Sequence, residues 1–310
     1  MSQPMSESAL HLPNRTRRSE SIPRRLVAEG KYHLLPVYAL LTTSDLAREG
    51  IRNSGSFRFA DHIYRNEPSG RYGVGRVLDR LLLKLRGARS MRSRFFHSRR
   101  QVLRGLRESL DDRQLRSRRP YPVFAGGATI DDKAEIIGER IVVVSVPCGI
   151  ARDLYEVAET LWMIEPALYE RVDFIGIDLD PEALELSRRL TRDYSTFDFR
   201  CADALAPETL LDGVDIIVSL GFGEFLADDV LLAFYRRALA SLNAGGRFIT
   251  SAMNRDRISD YLARELAELH THYRSTEELT ALLKAAGFGK IQTTRDSVGL
   301  QTLALAEKSL

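Results

Sequence analysis

The segment Ile141–Asp153 (IVVVSVPCGIARD), read with Phe174–Asp178 (FIGID), constrains the fold more than any other part of the chain. Ile141 to Val144 is β-branched throughout, as suits a strand buried on both faces. The turn Pro147-Cys148-Gly149 follows, and Gly149 permits a positive φ or a close backbone approach. The predicted helix after it points free N–H groups and a positive dipole end back at the turn. A second apolar strand ends on Asp178, on the carboxyl edge where open α/β sheets bind ligands. A carboxylate there can accept both hydroxyls of a ribose. Each piece alone also suits a plain buried strand, turn and helix cap, but their order points to a nucleoside site.

The rest of the C-terminal part alternates in period. Strands are predicted at Ile141–Val146, Val172–Ile177, Phe197–Arg200, Val214–Leu220 and Arg247–Ser251, and a hairpin at Ile291–Arg295 and Leu300–Glu307. Helices are predicted at Asp153–Glu165, Pro181–Tyr194, Asp228–Leu242, Ile258–His270 and Thr276–Ala286, the last opened by a Ser275-Thr-Glu-Glu capping pattern. Asn243–Gly246 reads as a turn into the fifth strand. The sum is an α/β fold, a seven-stranded, mostly parallel sheet with one antiparallel strand and helices on both faces.

The N-terminal part differs. Residues 1–25 are rich in Ser, Arg and Pro and are expected to be disordered. Residues 26–119 are expected to form a mainly helical region, with 52–75 a loop or short helix, and 120–310 the sheet domain, divided near Arg116–Pro122. Residues 1–135 hold 27 basic and 14 acidic side chains, whereas the remainder holds 18 and 28. Between Asp79 and Glu108 stand ten basic residues and no acidic one. That run reads first as a helix face docked on the acidic domain, and otherwise as a nucleic-acid surface or an anion site.

No apolar run has membrane length, and no signal-peptide core is present. Cys148 and Cys201 cannot make a disulfide framework, and His33, His62 and His97 lack metal spacing. The expectation is a cytoplasmic protein with no metal site.

With these strands and turns the chain resembles the class I S-adenosylmethionine-dependent methyltransferases, over Glu139–Lys308. The resemblance implies a Rossmann-like fold, S-adenosylmethionine as cofactor and S-adenosylhomocysteine as product. It places Pro147, Cys148 and Gly149 under the methionine part, Asp178 and Leu179 at the ribose, and Asp203 and Ala204 at the adenine. Gly221 and Phe222, after the fourth strand, would face the methyl group. The sequence departs from the family at the first turn. Ser145 takes the usual acidic position, and Ala151 and Arg152 stand where a second glycine is common. Arg152 is then a candidate for the cofactor carboxylate, and Asp153 for its amino group or as a helix cap. A dinucleotide would need a fuller Gly-x-Gly-x-x-Gly than this turn offers.

For catalysis the candidates are Glu224, His270 and His272, any of which can take a proton from an acceptor. Each is equally a solvated loop or helix-end residue. Ser251, Asn254 and Tyr273 are candidates for substrate contact near the strand edges. By analogy with lid-bearing members of the family, Arg65, Tyr72 and Arg76 are candidates from the helical region. The leading reading is methyl transfer to an O, N or C nucleophile of a small molecule, with a secondary metabolite or an anionic substrate as options. RNA methylation and cofactor binding without methyl transfer are the alternatives. The implied partners are a small-molecule substrate and, as an option, a second copy of the chain.

Overall fold

The computed structural model describes residues 15–53, 55–115 and 140–309. They form two compact units, one of residues up to 88 with 256–270, the other of residues 89–255 with 271–310.

The first unit opens with α1 (Arg15–Ala28), α2 (Leu34–Leu41), α3 (Asp45–Arg52), α4 (Phe57–Arg65) and α5 (Tyr72–Leu83). Ser44 and Ser56 cap α3 and α4, each side chain accepting the backbone N–H of the residue three further on, Ala47 and Phe59. The fully buried Asp79 ties three segments together by accepting from the Ser44 hydroxyl and from the N–H groups of Leu46 (3.3 Å) and Ser69 (3.0 Å). A carboxylate so buried needs donors of this kind. The core contains Ile22, Leu26, Leu34, Ile51 and Leu266. Disorder up to residue 25 is therefore corrected from Arg15 onward, because Ile22 and Leu26 supply core side chains. The remainder of that stretch, residues 1–14, lies outside the described residues. The 52–75 stretch holds α4 and the start of α5 rather than a loop.

The second unit takes α6 (Arg86–Leu115) from residue 89 onward, then β1 (Ile141–Ser145), α7 (Arg152–Ile164), α8 (Pro166–Tyr169), β2 (Val172–Asp178), α9 (Pro181–Leu190), β3 (Phe197–Cys201), β4 (Val214–Ser219), α10 (Asp228–Ser241) and β5 (Leu242–Met253). The chain then adds α11 (Arg257–Ala267) to the first unit and closes the second with α12 (Thr276–Ala286), β6 (Lys290–Arg295) and β7 (Gln301–Glu307). The sheet order is β3-β2-β1-β4-β5-β7-β6, and β7 runs antiparallel to both its neighbours. β1 and β4 are buried at every position, as their apolar runs require. The division expected near residue 120 does not match these units. Val102 and Leu106 of α6 are buried with Val143, Ile216 and Leu305 of the sheet, so the basic helix belongs to the sheet unit.

Two local details depart from the sequence reading. β5 begins at Leu242 instead of Arg247, with an irregular register opposite Val214 and Ile216. The Asn243 amide explains the early start, donating to the Gly213 carbonyl and to Asp215 Oδ1, each at 2.9 Å. α11 stops at Ala267, where Glu268 adopts a left-handed conformation (φ 49°). The Ser275–Glu278 capping box is formed as predicted. Ser275→Ala is expected to lower stability by about 1 kcal/mol in denaturant unfolding, the usual cost of a lost N-cap.

Candidate active site

The candidate residues of the sheet unit collect at the carboxyl ends of the strands. Gly149 adopts φ 55°, which leaves its N–H directed at Asp178 Oδ2 (2.7 Å). Asp178 Oδ1 accepts from the N–H of Asp180 (2.9 Å). Burial pushes the Asp178 carboxyl up, and these two N–H groups oppose the shift. Each oxygen keeps a second lone pair for a hydroxyl. The Ala151 N–H donates to Ser187 Oγ of α9 (3.1 Å), which in turn lies 3.2 Å from the Gly149 carbonyl. The turn's backbone is thereby pinned to α9. Burial and the neighbouring Asp178 push the Cys148 thiol well up, so it is not a nucleophile at neutral pH.

Beside the turn, Arg152 and Asp153 begin α7. Burial raises the Asp153 carboxyl to about 6, while Oδ1 accepts from the Leu154 N–H (2.9 Å). Its folded value lies above its unfolded value of 3.8, so its contribution to stability is complete below pH 4 and is lost as pH rises through about 6. Asp153→Asn is expected to remove up to about 3 kcal/mol of this pH-dependent loss, read as unfolding free energy between pH 4 and 7.

At the far side, Leu179 is exposed, and Asp203 Oδ1 accepts from the Leu205 N–H (2.8 Å) with Ala204 buried next to it. These apolar and carboxylate groups fit a nucleoside: Asp178 offers lone pairs to hydroxyls, and Leu179 an uncovered apolar face.

After β4 the chain turns at Gly221 (φ 74°), whose N–H donates to Ser251 Oγ of β5 (3.1 Å). A short 3-10 turn, Phe222–Phe225, follows, with Phe222 edge-on to Phe234 of α10 at 5.3 Å. Glu224 Oε1 accepts from Arg94 Nη1 of α6 (3.0 Å) and from Gln301 Nε2 of β7 (3.2 Å). A Cβ on Gly221 would lie 2.8 Å from Arg94 Nη1, so the guanidinium covers the turn itself. Arg274 clamps the same loop from the other direction, donating to the carbonyls of Gly223 and Leu226 and to Asp228. The His272 N–H donates to the Glu224 carbonyl (2.8 Å), and the His272 side chain is exposed.

The structure thus brings Pro147, Cys148, Gly149, Arg152, Asp178, Leu179, Asp203, Ala204, Gly221, Phe222, Glu224, Ser251 and His272 to one edge of one unit. Ser251 is committed to the Gly221 N–H and is buried, and Asn254 is tied to the β6–β7 turn through Gly299 (3.3 Å). Tyr273 is half-buried next to Arg274. His270, Arg65, Tyr72 and Arg76 belong to the other unit. There Arg65 pairs with Glu67, Arg76 reaches the Pro68 carbonyl, and Tyr72 is exposed. Arg94, Arg274 and Gln301 were not singled out in the sequence. Arg94 is hidden inside a basic run, and nothing in its spacing separates it from the other arginines. Among the described residues, no group of three His, Cys, Asp or Glu side chains is arranged to hold a metal, and no helix is long and apolar enough to cross a membrane.

A family model described as a methyltransferase domain matches residues 137–297. The chain belongs to this methyltransferase family, and with its Rossmann-like sheet it is an S-adenosylmethionine-dependent methyltransferase. No curated protein sequence matches it. A crystal structure of a possible exported protein from Bordetella parapertussis is similar over 99% of this chain and 100% of that one, with a TM-score of 0.73 at 20% identity. The magnesium protoporphyrin IX methyltransferase of Synechocystis PCC 6803, solved with bound S-adenosylhomocysteine, is similar over 85% of this chain and 98% of that one, at a TM-score of 0.50 and 11% identity. At such identities both likenesses concern the fold alone.

Proposed function

We propose that the chain methylates a small-molecule acceptor held beside the Gly221–Phe225 turn. When bound, the cofactor supplies an electrophilic methyl group on a sulfonium. Asp178 holds the ribose hydroxyls, Leu179 and Ala204 flank the base with Asp203, and Arg152 and Asp153 take the carboxylate and ammonium of the methionine part. An acceptor placed there would lose a proton, to His272 or to water, on receiving the methyl group that the cofactor would supply. Glu224 orients the acceptor through the oxygen that is not shared by Arg94 and Gln301, and His272 is the proton acceptor next to it. Alignment of this kind lowers the barrier to an in-line displacement by prepaying translational and rotational entropy.

The observation that carries this reading is the Arg94–Glu224–Gln301 cluster at the end of β4, a carboxylate set by two fixed donors. The basic run supports a small acceptor over RNA. Arg94, Arg99, Arg104 and Arg107 pair with Glu224, Glu156, Glu108 and Glu165 within the sheet unit. Arginines so engaged are poorly placed to neutralise phosphates. The test is transfer of labelled methyl groups from the cofactor to a metabolite extract and to total RNA. Label in the small-molecule fraction, lost in Glu224→Gln, is the expected result; label in RNA would overturn the reading.

A further inference from the structure

Helix α5 has one more apolar face than its packing uses. Gly75, Asp79 and Leu83 are buried, which marks the side turned to the rest of the helical unit. Val74, Val77 and Leu81, with Leu85 just beyond the helix end, form a second stripe that is 53–60% exposed. Their spacing of three, four and four places them along one line of the helix. α5 packs on α3 and α2, and among the described residues nothing covers the second stripe. Helix α2, which packs beside α5, exposes Val37 and Leu40 as well.

The polar residues next to the stripe are of one sign. Arg76, Arg80 and Lys84 recur at every fourth position and are all exposed. Asp79, the one acidic residue of α5, is buried under Ser44 and Ser69 and contributes no exposed charge. An apolar stripe bordered by a row of cations is the arrangement by which a helix lies in the headgroup region of an anionic bilayer. A second copy of the chain fits less well, because a two-fold contact through this face sets one row of cations against the other. A folded protein partner is read through directional hydrogen bonds, and the exposed face of α5 from Val74 to Leu85 offers only apolar and cationic groups. We propose that α5, with the adjoining end of α2, is a peripheral docking surface for an anionic lipid membrane. The inference is independent of the methyl acceptor.

The test is sedimentation of the full chain with phosphatidylcholine vesicles, with and without about 30% phosphatidylglycerol, at low and high salt. The expected result is binding to the anionic vesicles that weakens with salt. Leu81→Gln with Leu85→Gln, and separately Arg80→Gln with Lys84→Gln, should each reduce it at least tenfold, at roughly fivefold per cation removed, while thermal unfolding and cofactor binding stay unchanged. These side chains are exposed and lie outside the cofactor site, so misfolding does not explain a loss. Three results would overturn the proposal: no binding to the anionic vesicles, binding insensitive to both double substitutions, or a concentration-dependent dimer that the leucine substitutions dissolve.

Discussion

Asp178→Ala is expected to lower the affinity for S-adenosylmethionine and S-adenosylhomocysteine by about a hundredfold or more in titration calorimetry. Two hydrogen bonds to a charged acceptor are at stake, each worth about 1.5–3 kcal/mol. The Asp178 oxygens hold the Gly149 and Asp180 N–H groups and, on the proposed reading, leave lone pairs for the ribose. The fold itself suffers less. Burial already pushes this carboxyl up, so the ionised side chain costs the unliganded protein stability that alanine restores. Against that gain stands the lost acceptor for the Gly149 and Asp180 N–H groups, about 1–3 kcal/mol for each that stays buried. The expected signature is a large change in binding with a smaller change in melting temperature. Asp178→Asn should fall between, since it keeps an acceptor oxygen but not the charge. Unchanged affinity in Asp178→Ala would remove the ribose assignment.

Arg94→Met is expected to lower both stability and turnover. Arg94 is 5% exposed and its partner Glu224 14%, so the pair is shielded from solvent. Removing one member of a buried pair costs about 3–5 kcal/mol, chiefly by leaving the other charge without compensation. That magnitude is accessible to denaturant unfolding. Arg94→Met with Glu224→Gln should recover most of the stability, because no buried charge is then left alone, yet should not recover turnover. Arg94→Lys should retain part of both, since lysine keeps the charge but loses the planar fork. Recovery of turnover in the double variant would show that Glu224 has no part in the reaction.

The strands were legible because burial on both faces writes itself as β-branched runs, clearest in Ile141–Val144 and Val214–Val218. Asp178 was legible because a carboxylate that ends an apolar strand stands out. What stayed hidden depends on contacts between distant parts of the chain. Arg94 and Glu224 are 130 residues apart, and Arg247 reaches the Gly105 carbonyl over 142. No periodicity encodes such pairs, and the basic run around Arg94 disguised an arginine that reaches the Gly221–Phe225 turn. The start of β5 was misplaced for a related reason. Asn243, Gly245 and Gly246 have the composition of a turn, but the Asn243 amide is bonded to β4 and its neighbouring loop, which recruits the segment to the sheet.

The helical unit is discontinuous, and this bears on how the protein can be divided. Leu266 of α11 shares a core with Ile22, Leu26, Leu34 and Ile51, although more than two hundred residues separate them in the chain. A deletion of residues 1–88 would strip that core from α11 and leave Leu266 bare in the middle of the remaining polypeptide. The methyltransferase core therefore cannot be excised by a single cut. A clean excision needs two, one before residue 89 and one that replaces 256–270 by a short bridge between Arg255 and Thr271. Synthesis order carries the same consequence: the first five helices leave the ribosome long before α11 is made to complete their core.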